Sequence, residues 1–110
     1  MTPKPMDLLH GTLDVLILRT LAWQPMHGFG VSKWIRERTG GTIDVQDAPL
    51  YKALHRLERD GNIEASWGQS ENNRRARYYS LTTHGRRVLR AEEAGWRRYA
   101  GAVFAVLAPT

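Results

Sequence analysis

The chain has 110 residues, 42% of them hydrophobic and 25% charged, a composition that predicts one globular domain with a modest core. Its 16 Lys and Arg against 11 Asp and Glu give a formal net charge of +5. Because the sequence has no cysteine, disulfides, thiolate catalysis and cysteine-ligated zinc are excluded, which fits a reducing compartment.

The positive charge is concentrated in one part of the sequence. Residues 48–90 hold nine basic and four acidic residues, whereas the remainder holds seven of each. A localised positive field attracts polyanions, so the pattern indicates a nucleic-acid partner. Polar and charged residues interrupt the apolar runs near the N-terminus, so neither an export signal nor a membrane span is expected. We therefore expect a soluble, cytoplasmic protein that makes no membrane contact.

Two helices are predicted in the N-terminal half. The apolar residues of segment 13–21 recur at helical spacing, and Thr12 can act as the N-cap of that helix. A second helix is predicted to begin at His27 or Gly28 and to stop at Gly40. Together they give the sequence two amphipathic helices that can pack on each other.

The third predicted helix presents two different surfaces. Residues 50–61, LYKALHRLERDG, place a leucine-rich stripe on one side, and the opposite side carries Lys52, His55, Arg56 and Arg59. The apolar stripe suits a core and the basic side suits phosphate. Asp47 can N-cap this helix, and Pro49 is tolerated in its first turn. Before it, Thr42 to Val45 alternate in a way that predicts a very short strand.

A β-hairpin is predicted after the third helix. Ile63 to Trp67 and Arg77 to Leu81 both alternate apolar and polar residues, with Gly68 to Ala76 as a polar tip. Tyr78 and Tyr79 fall on opposite faces, so one of them should be in the core. The tip is basic as well as polar, which makes it a second candidate for contact with nucleic acid.

The last helix is predicted to begin at Thr82 or Thr83 and to run to about Ala108. Three helices, a small β-hairpin and a long fourth helix predict a mainly α protein with a winged helix-turn-helix domain. We assign residues 1–81 to the DNA-binding domain and residues 82–110 to a C-terminal dimerisation helix, the two forming one structural unit.

The last helix carries an apolar seam. Its residues keep heptad spacing, interrupted by Glu92, and they are Leu89, Trp96, Tyr99, Val103 and Val106. Such a seam exceeds what a small core can cover, so a second copy of the chain is the expected partner. The first helix is expected to join this interface through Leu9, Leu13 and Leu16. A homodimer would also double the number of phosphate contacts.

Four segments, in this order, resemble the PadR family of bacterial transcriptional regulators, in its short form with one C-terminal helix. They are LLHGTLDVLILRTLA at 8–22, PMHGFGVSKWI at 25–35, LYKALHRLERDG at 50–61 and SENNRRARYYSLTTHGRR at 70–87. The resemblance implies a homodimeric repressor that binds an inverted-repeat operator and is often released by a small molecule. Family members usually carry Ser or Thr where this chain has Pro49, so the hydroxyl contact to phosphate is not available here.

In a winged helix the third helix enters the major groove, and the wing follows the minor groove or its phosphates. The predicted DNA-binding residues are Pro49, Tyr51, Lys52, His55, Arg56, Arg59, Asn72, Asn73, Arg74, Arg75 and Arg77. Tyr51 reaches a phosphate or packs at the core edge. Arg77 points inward beside Trp67 or, as we slightly favour, outward along the DNA. The alternative is that the basic side chains in this set are solvated, or paired with Glu58 or Asp60, and do not contact DNA.

Trp96 has two interpretations. Near a twofold axis, a wide aromatic ring can stack on planar aromatic ligands, as in multidrug-responsive members of the family that the sequence resembles. Alternatively, Trp96 is ordinary interface core, which we favour because aromatic residues commonly anchor interfaces.

Nothing in the sequence predicts catalysis, a cofactor or a metal. The four histidines lie in different predicted elements, and no nucleophile has a base and an orienting carboxylate at a suitable spacing. We therefore do not expect an enzyme. Two other binding classes are alternatives that the sequence favours less. A protein-interaction module normally shows apolar anchors, of which the third helix has almost none on its basic side, and an RNA-binding winged helix needs exposed aromatic rings, of which we expect few.

Overall fold

A computed structural model describes residues 11–109, which form four helices and one three-stranded antiparallel sheet. The helices are α1 (Thr12–Trp23), α2 (Gly28–Arg38), α3 (Asp47–Arg59) and α4 (Thr83–Leu107). The strands are β1 (Met26–His27), β2 (Ile63–Gln69) and β3 (Arg75–Leu81), in the order β1-β3-β2. This is the predicted winged helix-turn-helix, with β2 and β3 as the wing.

The core lies between the first three helices and the sheet. It includes Ile17 and Leu18 of α1, Val31 of α2, and Tyr79 of β3. The leucine-rich stripe of α3 is buried as the helical spacing predicted. Because α3 packs through this stripe, its other side is left facing outward.

The third strand of the sheet is not where the sequence placed it. The prediction of a strand from Thr42 to Val45 is wrong, since this segment forms turns and irregular chain. The Thr39 hydroxyl oxygen accepts the Ile43 N–H at 3.0 Å, which satisfies backbone that a strand partner would otherwise serve. The added strand is β1, and its two residues are too few to show an alternating pattern.

Two predicted N-caps are also wrong. The N-cap of α1 is Gly11, with a φ of 82°, and Thr12 is the first helical residue. The N-cap of α3 is Gln46, which makes no capping bond through its side chain, and Asp47 lies inside the first turn. A carboxylate in the first turn still stabilises a helix because the helix dipole is positive at that end.

The starts of α2 and α4 are capped by side chains. His27 precedes α2, and its Nδ1 accepts the Gly30 N–H at 2.9 Å. Thr82 precedes α4 as predicted, and its hydroxyl oxygen accepts the Gly85 N–H at 2.9 Å. Each cap satisfies a backbone donor that the helix itself leaves unpaired.

The beginning of α4 is embedded in the winged domain. The Thr82 N–H donates to the Asn62 carbonyl at 3.1 Å, and the Thr82 hydroxyl donates to the Gly61 carbonyl at 2.7 Å. One turn later, Gly85 lies so close to Asn62 that a Cβ there would fall 1.9 Å from its carbonyl oxygen. Leu89 then enters the core. Beyond it, α4 continues beside α1, where Trp96 reaches Thr12, and its last turns are exposed.

Candidate nucleic-acid interface

The outward face of α3 carries three of the predicted contact residues. Lys52, His55 and Arg59 are all exposed and lie opposite the buried stripe. Arg59 has one carboxylate nearby, with 3.4 Å between its Nε and Asp60 Oδ1, and both side chains are more than half exposed. Such a pair is weak in water, so the Arg59 guanidinium can exchange it for a phosphate or a base.

Two other predicted contact residues lie on the flanks of α3. Arg56 forms an ion pair with Asp14 of α1, on the side that Pro49 shares two turns earlier. Tyr51 lies on the opposite flank against the first turn of α2, where a Cβ on Gly28 would be 2.7 Å from its hydroxyl oxygen. The sequence predicted these residues as DNA contacts together with the basic residues of the outward face. The structure places them on the flanks, where Arg56 contacts α1 and Tyr51 contacts α2.

Arg77 is turned towards α3. Its guanidinium donates to Glu58 Oε2 at 2.7 Å and lies 5.9 Å from the centre of the Tyr79 ring. Arg77 is thus paired with Glu58 of α3 while its side chain stays half exposed, which is between the inward and outward orientations that the sequence left open. Burial raises the pKa of the Tyr79 phenol, and the adjacent Arg77 charge opposes that rise. The ion pair links β3 to α3.

The tip of the wing is shorter than predicted, because both strands extend further than the alternation indicated. The Ser70 N–H donates to the Arg74 carbonyl at 2.8 Å, which closes the turn. Asn73 has a φ of 59°, a left-handed conformation that asparagine tolerates better than most residues. The exposed side chains of Asn72, Asn73 and Arg74 therefore project from a well-defined turn.

Trp67 also belongs to this surface, although the sequence pattern did not predict it. Its ring lies 4.3 Å from the guanidinium carbon of Arg75. Strand alternation shows which face a residue occupies but not which side chain reaches across the hairpin to it. The signal that could have identified it was a tryptophan on the part of β2 that reaches past the core.

Three basic residues of α3 and the wing have no carboxylate partner in the described part of the chain. Within residues 11–109, no carboxylate oxygen lies within 4.0 Å of the cationic groups of Lys52, Arg74 or Arg75. Arg56 and Arg77, by contrast, each bridge two elements. The cations fall into two groups, one that ties α3 to its neighbours and one that is available to an external anion.

A cleft of about 730 Å³ lies between the first turn of α2 and the wing. Its lining includes His27, Phe29, Tyr51, Trp67 and Arg75. Phe29 and Trp67 are both exposed, so this surface offers more aromatic rings than the sequence analysis expected. Tyr51 is the α3 residue in its lining, so the cleft lies between that flank of α3 and the wing.

A second groove of about 590 Å³ lies between α1 and α4. Trp96 lines it, and its indole Nε1–H donates to the Thr12 hydroxyl oxygen at 3.3 Å. The Trp96 ring also meets the Tyr99 ring edge-on, with 6.4 Å between centres. Phe104 lines the same groove and is exposed, although it lies off the predicted heptad positions.

The predicted seam of α4 is exposed except at its start. Leu89 is only 5% exposed and packs in the core of the chain, so its assignment to the seam is corrected. Val106, at the other end, is 85% exposed. Leu13 and Leu16 of α1 are partly buried, and Leu9 lies outside the described residues. The remaining seam residues are Trp96, Tyr99, Val103 and Val106.

Two further features of the described residues concern metal binding and membrane insertion. Among residues 11–109, no three His, Cys, Asp or Glu side chains are grouped as ligands for a metal ion. In the same part of the chain, every helix is too short or too polar to cross a bilayer.

Known proteins match this chain in sequence and in structure. The family model described as "Transcriptional regulator PadR-like family" matches residues 17–91. An uncharacterised protein of Lysinibacillus sphaericus is 32% identical over 83 residues, which cover 76% of each chain.

Solved structures also superpose on the chain. A PadR family transcriptional regulator from Eggerthella lenta is 30% identical with a TM-score of 0.76, and the match covers 91% of this chain and 85% of that one. A PadR family transcription regulator from Clostridium difficile is 28% identical with a TM-score of 0.77, covering 89% of this chain and 100% of that one. A transcriptional regulator from Clostridium thermocellum is 28% identical with a TM-score of 0.78, covering 86% and 89%.

Proposed function

Since the chain belongs to the PadR family of transcriptional regulators, we propose that it binds duplex DNA as a homodimer and represses transcription from an inverted-repeat operator. Membership of this family of regulators also supports the expectation that the chain is not an enzyme. One observation carries the DNA-binding proposal: the outward face of α3 is basic, and within residues 11–109 neither Lys52 of this face nor Arg74 and Arg75 of the wing have a carboxylate oxygen within 4.0 Å.

The outward face of α3 is suited to the major groove. An α-helix fits this groove, where Arg can bond bidentately to guanine and Lys or His can reach base acceptors or phosphate. Lys52, His55 and Arg59 are the residues we assign to this role. Arg74, Arg75 and the two asparagines of the wing contact the neighbouring backbone or minor groove.

The flanking residues support this surface. Arg56 and Arg77 hold α3 against α1 and the wing through Asp14 and Glu58, so the helix is presented at a fixed angle. Of these two, Arg77 keeps a half-exposed side chain that can reach the DNA backbone from its ion pair. Pro49 and Tyr51 lie on opposite flanks of α3 near its N-terminal end, and we assign each of them a contact with the DNA backbone.

A duplex-binding assay with a salt series tests the proposal. If Lys52, Arg59, Arg74 and Arg75 of both protomers each neutralise a phosphate, the slope of log K against log salt is expected to be about −7. Fluorescence anisotropy with labelled duplex DNA measures this slope, and single-stranded RNA of equal length is the matched probe. Tighter binding to the RNA, or a duplex affinity that ignores salt, contradicts the proposal. Genome-wide recovery of bound fragments then gives the operator and its symmetry.

The alternative of a protein-interaction module is not favoured. Such a surface is normally anchored by apolar or aromatic side chains, and the outward face of α3 carries charged and polar ones. The exposed rings of Phe29 and Trp67 lie in the cleft beside the wing, not on that face. A partner protein that covered α3 would also compete with DNA for the same basic side chains.

We propose that the dimer forms through α4, with help from Leu13 and Leu16 of α1. Val103→Asp places a carboxylate in the proposed seam, where its burial would be strongly unfavourable. We expect the wild type to have twice the 12.5 kDa mass of the chain and Val103→Asp to be a monomer at micromolar concentration, as measured by light scattering.

Ala94→Asp is the matched control, because it adds the same charge on the opposite side of α4. It should remain dimeric. A monomeric wild type, or loss of the dimer in both variants, contradicts the proposed seam.

The family also suggests that a small-molecule effector releases the repressor from its operator, and we include this in the proposal. The groove between α1 and α4 contains Trp96, the residue on which a planar aromatic effector would stack. The Thr12 hydrogen bond and the Tyr99 contact hold that ring within the protomer, which equally suits an interface anchor. We assign Trp96 first to the dimer interface.

A further inference from the structure

The wing carries an exposed tryptophan that the core does not use. Trp67 is 61% exposed on β2, whereas Ala65, two residues earlier on the same face, packs against the core. Hydrophobic stabilisation follows the area removed from water, so a ring that stays largely in water contributes little to folding. Its role is to be found in what it contacts.

The contact is with Arg75. The guanidinium carbon lies 4.3 Å from the centre of the Trp67 ring, well within the range of a cation–π interaction. In the hairpin, Trp67 pairs with Arg77 and Gln69 pairs with Arg75, so Arg75 is the diagonal neighbour of the indole. Diagonal neighbours on one face of a sheet are within reach of long side chains.

The two arginines on this face are held in different ways. Arg77 donates to Glu58, which occupies part of its hydrogen-bonding edge. Arg75 is held with its guanidinium carbon over the Trp67 ring, and within residues 11–109 no carboxylate oxygen lies within 4.0 Å of its guanidinium. The contact with the ring therefore holds Arg75 in place, and no carboxylate of the described residues competes with a phosphate for its N–H donors.

We propose that Trp67 is a positioning residue for DNA binding, whose indole holds the Arg75 guanidinium ready to bond a backbone phosphate. This inference rests on the proposed function. An arginine already held in place loses less conformational freedom when it binds, so preorganisation increases affinity without a new contact. Trp67 thus acts through Arg75 and need not touch the DNA.

A double-mutant cycle tests the inference, with anisotropy measured on a fluorescein-labelled duplex of about 30 base pairs, long enough for two half-sites. Trp67→Leu removes the ring face. We expect the affinity of the dimer for the duplex to fall by about 5- to 30-fold, since each protomer loses one exposed cation–π contact. Trp67→Phe keeps a ring face and should retain most of the affinity. In an Arg75→Gln background, Trp67→Leu should have no further effect.

Trp23→Leu is the matched control. Trp23 is 69% exposed at the end of α1, and within the described residues no cation stacks on its ring. This variant should bind as the wild type does. Urea unfolding of all variants checks that the wing substitutions leave the fold intact.

Two results overturn the inference alone: unchanged affinity in Trp67→Leu, or the same fold-loss from Trp67→Leu in both the wild-type and the Arg75→Gln background, which would indicate a role independent of Arg75. A wild type that fails to bind the duplex overturns the proposed function, and the inference with it. The wild-type measurement therefore distinguishes the two failures.

Discussion

Arg59→Ala is expected to weaken operator binding by about 1 to 3 kcal/mol for each half-site if Arg59 reads a guanine. Its side chain projects from the outward face at the C-terminal end of α3, and within residues 11–109 its one ion-pair partner is the exposed Asp60 carboxylate. Loss of the guanidinium removes up to two charge-assisted hydrogen bonds and leaves the base acceptors unpaired. Anisotropy on the recovered operator and on an unrelated duplex measures the effect.

Comparison of the two duplexes identifies what Arg59 contacts. A loss on the operator alone indicates base recognition, whereas an equal loss on both indicates phosphate contact. Arg36→Ala is the charge-matched control, because Arg36 is an exposed base in the last turn of α2, away from the end that faces the wing. If Arg59→Ala binds both duplexes as the wild type does, Arg59 is not part of the interface.

Gly85→Ala is expected to destabilise the fold by about 2 to 4 kcal/mol, the sum of overpacking and a weakened hydrogen bond. The added Cβ would meet the Asn62 carbonyl oxygen at 1.9 Å and the Leu81 Cδ1 at 2.9 Å. A backbone oxygen cannot rotate away as a flexible side chain can, so the first turn of α4 must move. That movement disturbs the Thr82 bonds to the same turn.

Urea unfolding followed by circular dichroism measures the change, at one protein concentration because the proposed dimer makes stability depend on it. Gly95→Ala is the matched control on the same helix, since a Cβ at Gly95 would meet nothing within 4 Å. It should stabilise α4 by about 0.5 to 1 kcal/mol, because alanine is the better helix former. Equal midpoints for the two variants would contradict the close approach at Gly85.

The fold could be predicted where one periodicity runs over many residues. The stripe of α3 and the alternation of the wing strands identified both elements, and Thr82 marked the start of α4. The strand β1 could not be predicted, because two residues show no period and their pairing with Tyr78 and Tyr79 depends on distant chain. The caps at Gly11 and Gln46 were missed because a polar neighbour offered a more familiar capping residue.

The candidate site was predicted less completely than the fold. Helical spacing identified Lys52, His55 and Arg59 as a basic face, but it could not show that Arg56 reaches Asp14, 42 residues away in sequence. The sequence offered Glu58 as a possible partner for a basic residue but could not show that this residue is Arg77, and the contact between Trp67 and Arg75 could not be predicted for the same reason. Which bases are engaged within the protein depends on tertiary neighbours, and sequence patterns carry little information about those.

The ion pair between Asp14 and Arg56 has a mechanical consequence. Asp14 lies in α1 between Leu13 and Leu16, on the helix that we propose contributes to the twofold contact. A shift of α1 at the proposed subunit boundary would therefore reach α3 through this side-chain link as well as through the core that the two helices share. In a dimer, the distance between the two α3 helices must match one turn of B-DNA, so a displacement of α1 by a few ångströms would put both out of phase with their grooves.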